Sequence, residues 1–222
     1  MGPVTLIVPP SAFLLDERVF MHLGILRVAA VLERADVPVR VLDLSGVSNY
    51  EDAVRACCAD GGSTVFGITA TTPQLPAATR VLAAIRDASP AAAKVILGGP
   101  HVTLVNAARK REERLGIDGR ATAAFTQLHA DYDVLVAGDG ERAIFEAIEP
   151  RTTGLVDADD PRSAMFLSSP DVTALPWPAR HLVDVDSYHY TIDGVRALSM
   201  IAQLGCPFEC GFCGGRNSPF LR

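Results

Sequence analysis

Three cysteines lie close together near the end of the sequence, in the string Cys206-Pro-Phe-Glu-Cys210-Gly-Phe-Cys213. Three thiolates within eight residues of a glycine- and proline-containing loop can bind a metal, and they suit either zinc or an iron–sulfur cluster. Structural zinc needs a fourth ligand, and the residues after Cys213 offer none, although His181 and His189 lie upstream. A four-iron cluster on three cysteines leaves one iron open for a further ligand. The spacing therefore favours a metal centre that does chemistry, with zinc as the alternative.

A second set of candidate residues follows short apolar runs that are expected to be strands. After the first, third, fourth and fifth runs come Pro9-Pro10-Ser11, Thr69-Ala70-Thr71-Thr72-Pro73, Gly98-Gly99-Pro100-His101 and Gly138-Asp139-Gly140-Glu141. Glycines at strand ends let a ligand approach the backbone, and threonine hydroxyls can hydrogen-bond its polar groups. Glycine pairs also make tight turns without a ligand, but four such turns at one sheet edge favour a binding site. The candidate contacts are Thr69, Thr71, Gly98, Gly99, His101, Gly138, Gly140 and Glu141.

The elements that must hold these residues alternate between two sequence periods over the first 150 residues. Short runs of branched apolar residues predict buried strands at about 4–8, 37–42, 64–68, 94–97 and 133–136. Apolar residues three or four apart predict helices at about 23–35, 50–59, 74–88, 102–114 and 141–148, with an extra helical turn within 121–128. This order predicts a doubly wound, five-stranded parallel α/β domain of the Rossmann-like, flavodoxin-like type.

The pattern changes after residue 150, where no period is sustained. We therefore predict an α/β domain over 1–150, a linker or wrapping segment over 151–194, and the start of a second domain over 195–222. Within the linker, two prolines flank Trp177, which is the only tryptophan and is expected to be buried against a neighbouring surface. A new strand is predicted at about 196–203, directly before the cysteine string.

Composition and charge exclude several classes of protein. The 222 residues are 49% hydrophobic and 21% charged, with a formal net charge of -6, which suits a folded protein with a sizeable core. The densest basic run, Arg109-Lys110-Arg111, precedes two glutamates, so bulk charge does not favour nucleic acid as a partner. No apolar stretch approaches the roughly 20 residues of a membrane span, and no signal peptide opens the sequence, so a cytoplasmic protein is expected. The first turn lacks the dinucleotide string G-x-G-x-x-G, and no P-loop string occurs.

The cysteine string resembles the signature of the radical S-adenosylmethionine (radical SAM) family, C-x-x-x-C-x-x-C with an aromatic residue before the last cysteine. Phe212 fills the aromatic position. The resemblance implies that Cys206, Cys210 and Cys213 hold a [4Fe-4S] cluster and that Phe212 lines the adenine side of S-adenosylmethionine. In that family the open iron binds S-adenosylmethionine, and an electron from the cluster cleaves it to a 5'-deoxyadenosyl radical. An electron donor such as flavodoxin or ferredoxin is therefore implied.

Further strings resemble radical SAM enzymes that carry an N-terminal cobalamin-binding domain. They are Leu23-Gly24-Ile25-Leu26, Gly98-Gly99-Pro100-His101, Gly138-Asp139-Gly140-Glu141 and Leu175-Pro-Trp-Pro-Ala-Arg180. The resemblance implies cobalamin as a cofactor and radical methyl transfer to an unactivated centre of a small-molecule or natural-product-like substrate. Two alternatives stay open: an anaerobic cyclase reaction, and a non-catalytic corrinoid-binding module with a vestigial or zinc-binding cysteine tail.

Two features depart from related patterns. Methyl-carrier cobalamin domains use D-x-H-x-x-G after the first strand, and Asp16 and His22 do not fit that string, so a protein histidine of that kind is not expected on the cobalt. His101 is expected either at the periphery of the cofactor or as a cap of the following helix. Cys57 and Cys58 are neighbours on a predicted helix, where successive side chains diverge by about 100°, so they are not expected to share a metal.

The radical SAM barrel that the resemblance implies needs more chain than this sequence holds, since only nine residues follow Cys213. We therefore expect the chain to be a fragment, a truncated product or one half of a split enzyme, with a separate chain supplying the barrel in the last case. The cobalamin domain is expected to fold alone, whereas cluster assembly and radical chemistry are expected to need the barrel.

Overall fold

The computed structural model describes residues 3–60, 62–89 and 93–201. Its strands are β1 Val4–Val8, β2 Val39–Asp43, β3 Val65–Thr69, β4 Lys94–Gly98, β5 Val134–Gly138, β6 Gly154–Ala158, β7 Thr191–Ile192 and β8 Val195–Arg196. Its α-helices are α1 Leu23–Arg34, α2 Tyr50–Ala59, α3 Leu75–Ala88, α4 Pro100–Leu115, α5 Arg120–Asp131, α6 Gly140–Ala147 and α7 Ser169–Thr173. Short 3₁₀ helices cover Thr72–Gln74, Arg180–Leu182 and Val185–Ser187.

The first six strands form one sheet in the order β2-β1-β3-β4-β5-β6, while β7 and β8 form an antiparallel hairpin. Pairing is parallel between β1 and β2, β1 and β3, β4 and β5, and β5 and β6. The order 2-1-3-4-5 is that of the flavodoxin-like doubly wound fold. The predicted fold class is therefore confirmed, with six strands in place of the five predicted.

Burial explains why the central strands are apolar without alternation. All five residues of β1 and all five of β3 are buried, and Leu6, Ile7 and Phe66 are among the largest side chains that are wholly inside. Helices on both faces of a parallel sheet leave no solvent side, so each strand residue must tolerate burial. The edge strand β2 is only half-buried along its length.

The chain divides into two compact units. One comprises the residues up to Val95 together with Pro176–Ile201, and the other includes Ile96–Leu175. The first unit holds β1 to β3, α1 to α3 and the β7–β8 hairpin; the second holds β5, β6 and α4 to α7. The segment after residue 175 therefore belongs with the first three strands, and Ala179 is fixed there by its N–H donating to the carbonyl of Leu26 at 2.9 Å.

Strand β6 lies within the segment that the sequence pattern indicated to be a linker, so that interpretation of residues 154–158 was wrong. β6 pairs with β5 alone, from Val134↔Gly154 to Gly138↔Ala158, as an edge strand does. Asp157 interrupts its apolar run, and the carboxylate is accommodated because Lys110 Nζ lies 2.5 Å from Asp157 Oδ2. The charged Asp157 interrupts the hydrophobic pattern, so the sequence alone does not indicate a strand here. The strand can contain this charge because Lys110, on helix α4, neutralises it in the folded chain.

Two further expectations about the later segment are corrected. Trp177 is 78% exposed, so the expectation that its indole is buried was wrong. Ala179, two residues later, is 3% exposed and is the buried residue of this stretch. The strand predicted at 196–203 ends at Arg196 within the described residues, because Val195–Arg196 pairs only with Thr191–Ile192 and residues 197–201 have no partner strand in the described part of the chain. The extra turn predicted within 121–128 is the complete helix α5, Arg120–Asp131.

No helix in the described residues is both long enough and apolar enough to cross a membrane.

Helix α5 begins against the carboxylate of Glu112, which comes from the end of α4. The two oxygens of Glu112 accept the N–H groups of Gly119 (3.2 Å), Ala121 (3.1 Å) and Thr122 (2.8 Å), and the Thr122 hydroxyl at 2.7 Å. The first N–H groups of a helix have no partner inside it, so an outside acceptor there stabilises the helix start. The hydrogen bond from the Thr122 side chain, followed by that from its backbone, lowers the pKa of Glu112.

We expect Glu112→Gln to lower the melting temperature at pH 7, because an amide offers one acceptor oxygen and turns an NH₂ group towards backbone donors. Since the pKa of Glu112 in the folded protein is below its ordinary value of 4.5, the stabilisation is present above that value and disappears as the pH falls through the lower, folded value. Thermal melts at pH 7 and at acidic pH measure this. Glu113→Gln is the matched control, since the Glu113 side chain is 72% exposed and pairs only loosely with Arg109 at 3.5 Å; an equal effect of both substitutions would refute the capping role.

Candidate functional site

In the sheet order found here, the chain reverses direction across the sheet between β1 and β3, and both strands belong to the first unit. Ligands of doubly wound folds bind beyond the carboxyl ends of the strands at this switch point. The turn after β1 starts at Pro9, and the turn after β3 starts at Ala70. These two turns, together with the strand ends that lead into them, form the first part of the candidate site.

Gln74 joins the two turns. Its amide nitrogen donates to the carbonyl of Pro9 at 3.0 Å, and its amide oxygen accepts the backbone N–H of Thr71 at 3.0 Å and the Thr71 hydroxyl at 2.9 Å. Gln74 is 5% exposed, so these bonds form away from water. Gln74 is not among the site residues predicted from the sequence, although Thr71-Thr-Pro-Gln74 has the T-x-x-Q spacing of a capping box.

The two threonines predicted at this edge differ in surroundings. Thr69 is the last residue of β3 and is 8% exposed. Thr71 is half-buried, and its hydroxyl proton is committed to Gln74, so towards a ligand its oxygen can act only as an acceptor. The structure thus brings Thr71 into contact with Gln74, whereas the role of both threonines in binding stays a prediction.

In the second unit, the hydroxyl of Thr103 connects the glycine turns after β4 and β5. It donates to the carbonyl of Gly99 at 3.1 Å and accepts the N–H of Gly138 at 2.9 Å. Thr103 is 7% exposed and lies in the first turns of α4. The predicted residues Gly99 and Gly138 are therefore brought together through a side chain that the sequence pattern did not single out.

Glycine is required at the end of β5 by both backbone angle and space. Gly138 has φ +90°, and a Cβ built there would lie 2.5 Å from Ala158 C and 2.5 Å from Asp159 N. Gly98, at the corresponding position of β4, would place a Cβ at ordinary distances of 3.7 Å and 3.8 Å from Val136 atoms. The close approach of β5 to β6 explains the requirement at Gly138.

The helices that follow β4 and β5 start without a side-chain cap from the preceding residue. The residue before α4 is Gly99, with φ +93°, and the residue before α6 is Asp139, whose side chain makes no capping hydrogen bond. First-turn N–H groups of a helix carry partial positive charge and point out of its start. N–H groups in the first turns of α4 and α6 are therefore of the kind that bind acceptor groups of a ligand, although Pro100, the first residue of α4, has no N–H.

His101 and Glu141 lie in these first turns and are each 8% exposed. Burial lowers the pKa of His101, so its imidazole is neutral at neutral pH. His101 is the second residue of α4, whereas the sequence pattern predicted it in the loop before that helix. Gly140 begins α6. The contact of these residues with a cofactor stays a prediction.

The predicted cluster ligands Cys206, Cys210 and Cys213, together with Phe212, lie outside the described residues. Within residues 3–60, 62–89 and 93–201, no group of three or more histidine, cysteine or carboxylate side chains is placed to hold a metal ion. Of the other two cysteines, Cys58 is buried, and burial raises the pKa of the half-buried Cys57 thiol. A raised pKa leaves the Cys57 sulfur protonated at neutral pH and so a poor metal ligand.

The second unit also has an open groove of about 440 Å³ beside β6, lined by Leu155, Asp157, Asp160 and Arg162 among others. Two of its carboxylates are already engaged, since Asp157 pairs with Lys110 at 2.5 Å and Asp160 with Arg162 at 2.9 Å. The groove is lined by residues of β6 and of the segment that follows it, together with Glu146, and it contains none of the predicted site residues.

A parallel sheet in flavodoxin-like order, with glycine and threonine turns at its strand ends, defines a Rossmann-like ligand-binding domain. The family described as the B12 binding domain matches residues 18–129, which is half of the chain, and the chain belongs to that family. The match covers the turns after β2, β3 and β4, including Thr69, Thr71, Gly98, Gly99 and His101.

Two solved structures of the radical S-adenosylmethionine methyltransferase TsrM from Kitasatospora setae are similar to this chain. The structure with tryptophan substrate and the SAM analogue aza-SAM is 17% identical over 58% of this chain and 25% of that chain, with a TM-score of 0.41. The structure with cobalamin and a [4Fe-4S] cluster is 18% identical over 53% of this chain and 22% of that chain, also with a TM-score of 0.41. The chain thus spans about a quarter of that protein's length. No curated protein matches the chain.

We expect Gly138→Ala to destabilise the protein by at least about 2 kcal/mol, because the new methyl group meets backbone atoms and the residue has a positive φ. Gly98→Ala, at the equivalent strand end, is expected to change stability by less than about 1 kcal/mol, since its Cβ fits at van der Waals distance. Urea unfolding followed by circular dichroism compares the two variants. Similar losses in both would contradict the backbone clash described for Gly138.

Gln74→Met keeps the length of the side chain but leaves the Pro9 carbonyl and the Thr71 N–H without their buried partner. We expect a loss of about 2–6 kcal/mol in the free energy of unfolding, from roughly 1–3 kcal/mol for each of the two unsatisfied groups. Gln127→Met is the control, because Gln127 is exposed and bonds only Asp131 on its own helix. If Gln74→Met unfolds at the same urea concentration as Gln127→Met, Gln74 does not hold the two turns together.

Proposed function

We propose that this chain binds cobalamin at the carboxyl ends of its parallel strands and is the N-terminal part of a cobalamin-dependent radical SAM enzyme. In this proposal Cys206, Cys210 and Cys213 bind the [4Fe-4S] cluster, and Phe212 lines the adenine side of S-adenosylmethionine. The reaction proposed is methyl transfer to an unactivated centre of a small-molecule substrate, with flavodoxin or ferredoxin as electron donor. The domains proposed are an α/β domain whose sheet ends with β6 (Gly154–Ala158), a following linker that runs to residue 194, and the start of the radical SAM domain over 195–222.

The observation that carries the cobalamin part is membership of the B12-binding family over residues 18–129. That range contains the candidate residues after β3 and β4, which supports our proposal that the cofactor binds at the strand ends. The cluster part is supported by the spacing of the three cysteines and the aromatic residue before the last of them.

The described residues have the chemistry that cobalamin needs from a protein. The corrinoid carries amide side chains and a phosphate, which accept hydrogen bonds from N–H groups and hydroxyls. The starts of α4 and α6 present such N–H groups, and Gly99 presents a backbone with no side chain in the way. His101 is neutral, so it brings no buried positive charge to an uncharged corrin edge.

When bound, cobalamin supplies a methyl carrier and the cluster supplies the electron that cleaves S-adenosylmethionine. The chain's own residues would fix the corrinoid at the strand ends. Gln74 and Thr103 would hold the turns in place, and Gly99, which has no side chain, would let the ligand come close to the backbone.

Cobalamin binding is tested by mixing the full chain with hydroxocobalamin, passing it through gel filtration and recording the corrinoid spectrum of the protein peak. We expect about one corrinoid per chain, and a weaker complex for Gly99→Val, because a branched side chain there enters the ligand edge and opposes the positive φ of Gly99. Gly116→Val is the control, since Gly116 ends α4 at φ +66° and a Cβ added there would have no other atom within 4 Å. Equal retention by both variants, or none by the parent chain, would contradict the proposal.

The cluster is tested by anaerobic purification of the chain, with reconstitution by iron and sulfide. A brown protein with iron and acid-labile sulfide that is lost in Cys210→Ala but kept in Cys57→Ala supports the radical SAM assignment. A colourless protein that holds zinc would favour the non-catalytic corrinoid-binding module.

A further inference from the structure

Arg18 lies in the loop between β1 and α1 and connects this loop by hydrogen bonds to two other segments of the first unit. Its Nη2 donates to the carbonyl of Asp43, the last residue of β2, at 3.3 Å. Its Nε donates to the carbonyl of Ser45, just after β2, at 2.8 Å. Its Nη1 donates to the hydroxyl of Ser187 at 3.2 Å. One guanidinium thus binds the end of β2 and a residue 169 positions later in the chain.

The later partner belongs to residues 184–201, which we call the return segment. Tyr188 is 3% exposed, donates its hydroxyl to Asp43 Oδ2, and has its ring centre 5.2 Å from the guanidinium carbon of Arg18. The Asp43 side chain is only 7% exposed and lies 3.7 Å from Arg18 Nη1. A buried carboxylate must be paired, and Asp43 has three partners: the Tyr188 hydroxyl, the N–H of Ser45 at 2.9 Å, and the charge of Arg18.

Backbone and ring contacts extend this connection on both sides of Arg18. The Arg18 carbonyl accepts the N–H of His189 at 3.0 Å, and His189 Nε2 lies 2.6 Å from Asp16 Oδ2. Phe20 packs on Tyr190 with ring centres 4.6 Å apart. The return segment therefore lies along residues 16–20 of the β1–α1 loop through side-chain and backbone bonds together.

The β1–α1 loop, which contains Arg18, follows the carboxyl end of β1. This is the switch point of the sheet, where we propose that the ligand binds. The tip of the loop, between Ser11 and Asp16, carries Phe13, Leu14 and Leu15, which are 58%, 47% and 109% exposed. Exposed apolar side chains at a ligand-binding edge are available to cover an apolar face of the ligand. Arg18 lies at the base of this tip and fixes its position there.

We propose that Arg18 is a positioning residue for the cofactor edge, which couples cofactor binding at the β1–α1 loop to the order of the return segment. The proposal rests on the cobalamin binding proposed above. Coupling of this kind is reciprocal: whatever fixes the return segment in place also favours the binding-competent loop. The return segment leads directly into the stretch that carries the three cysteines, so Arg18 would link the corrinoid edge to the start of the proposed cluster domain.

The geometry requires arginine and not merely a positive charge. Three donors of Arg18 leave its planar group in different directions, to Ser45, Asp43 and Ser187. A lysine ammonium is a single point that cannot reach acceptors on both segments at once. Arg18→Lys is therefore expected to keep the charge beside Asp43 and to lose the link.

The test uses the full chain, limited chymotrypsin digestion and mass spectrometry, with and without hydroxocobalamin. Cleavage is followed after Phe13 in the loop and after Leu198 in the return segment, which is 52% exposed. In the parent chain we expect hydroxocobalamin to slow both cleavages by about tenfold. In Arg18→Ala and Arg18→Lys we expect protection at Leu198 to fall below about twofold and the Kd for hydroxocobalamin to rise about fivefold.

Arg55→Ala is the matched control, because Arg55 lies on α2 of the same unit and bonds only Asp52 at 3.0 Å. It should behave as the parent chain does. Tyr188→Phe removes the hydroxyl that connects the return segment to Asp43, so this variant should lose the protection at Leu198 as Arg18→Lys does. It tests the proposal if an Arg18 variant fails to fold. If Arg18 has only a structural role, its substitution should speed cleavage by the same factor with and without hydroxocobalamin. The ratio of the cleavage rate without cofactor to the rate with cofactor would then be that of the parent chain.

The outcomes separate the two proposals. If the parent chain binds hydroxocobalamin and the variants keep the full protection at Leu198, the role of Arg18 is overturned while cobalamin binding stands. If the variants bind but lose that protection, the role of Arg18 is supported. If the parent chain does not bind hydroxocobalamin, the proposed function fails, and the proposal for Arg18 fails with it.

Discussion

Parallel strands that end together leave a row of backbone N–H and C=O groups with no partner in the sheet, and this constraint shapes the turns that follow the strands in each unit. Such groups must be satisfied by something other than the next strand. In this chain one polar side chain meets the need at each of three places: Arg18 at the end of β2, Gln74 between the turns after β1 and β3, and Thr103 between those after β4 and β5. Because the three side chains are each hydrogen-bonded to backbone, the turns have fixed positions before any ligand arrives.

A fixed edge is what a large, flat cofactor requires. Rigid turns lose little conformational entropy on binding, so more of the contact energy appears as affinity. The glycines contribute in a complementary way, since Gly99 and Gly138 adopt backbone angles that other residues resist, and the absence of a side chain at Gly138 lets β5 approach β6 closely. We propose cobalamin as the ligand of this edge because the chain belongs to the B12-binding family, and the proposed radical chemistry rests on the cysteine string.

The sequence predicted the layered fold well because burial on both faces imposes continuous apolar runs, and β1, β3 and β5 have them. It missed β6, where Asp157 is neutralised by a lysine that comes from another helix. Arg18 also escaped prediction, because its partners Asp43 and Ser187 are brought to it only by the folded chain. Local spacing carries information about helices and caps, whereas a long-range ion pair has no signature of its own in one sequence. Gln74 is the intermediate case, with a capping-box spacing that could have been recognised.

The central claim is that cobalamin lies against the turns that these side chains hold. Hydrogen exchange of backbone amides, measured by mass spectrometry on the full chain with and without hydroxocobalamin, tests it most directly. The account predicts slower exchange with the cofactor in the peptides that cover residues 69–74, 98–103 and 138–141, and no change in α2 and α5. Unchanged exchange in all three turns, or protection confined to other parts of the chain, would contradict it.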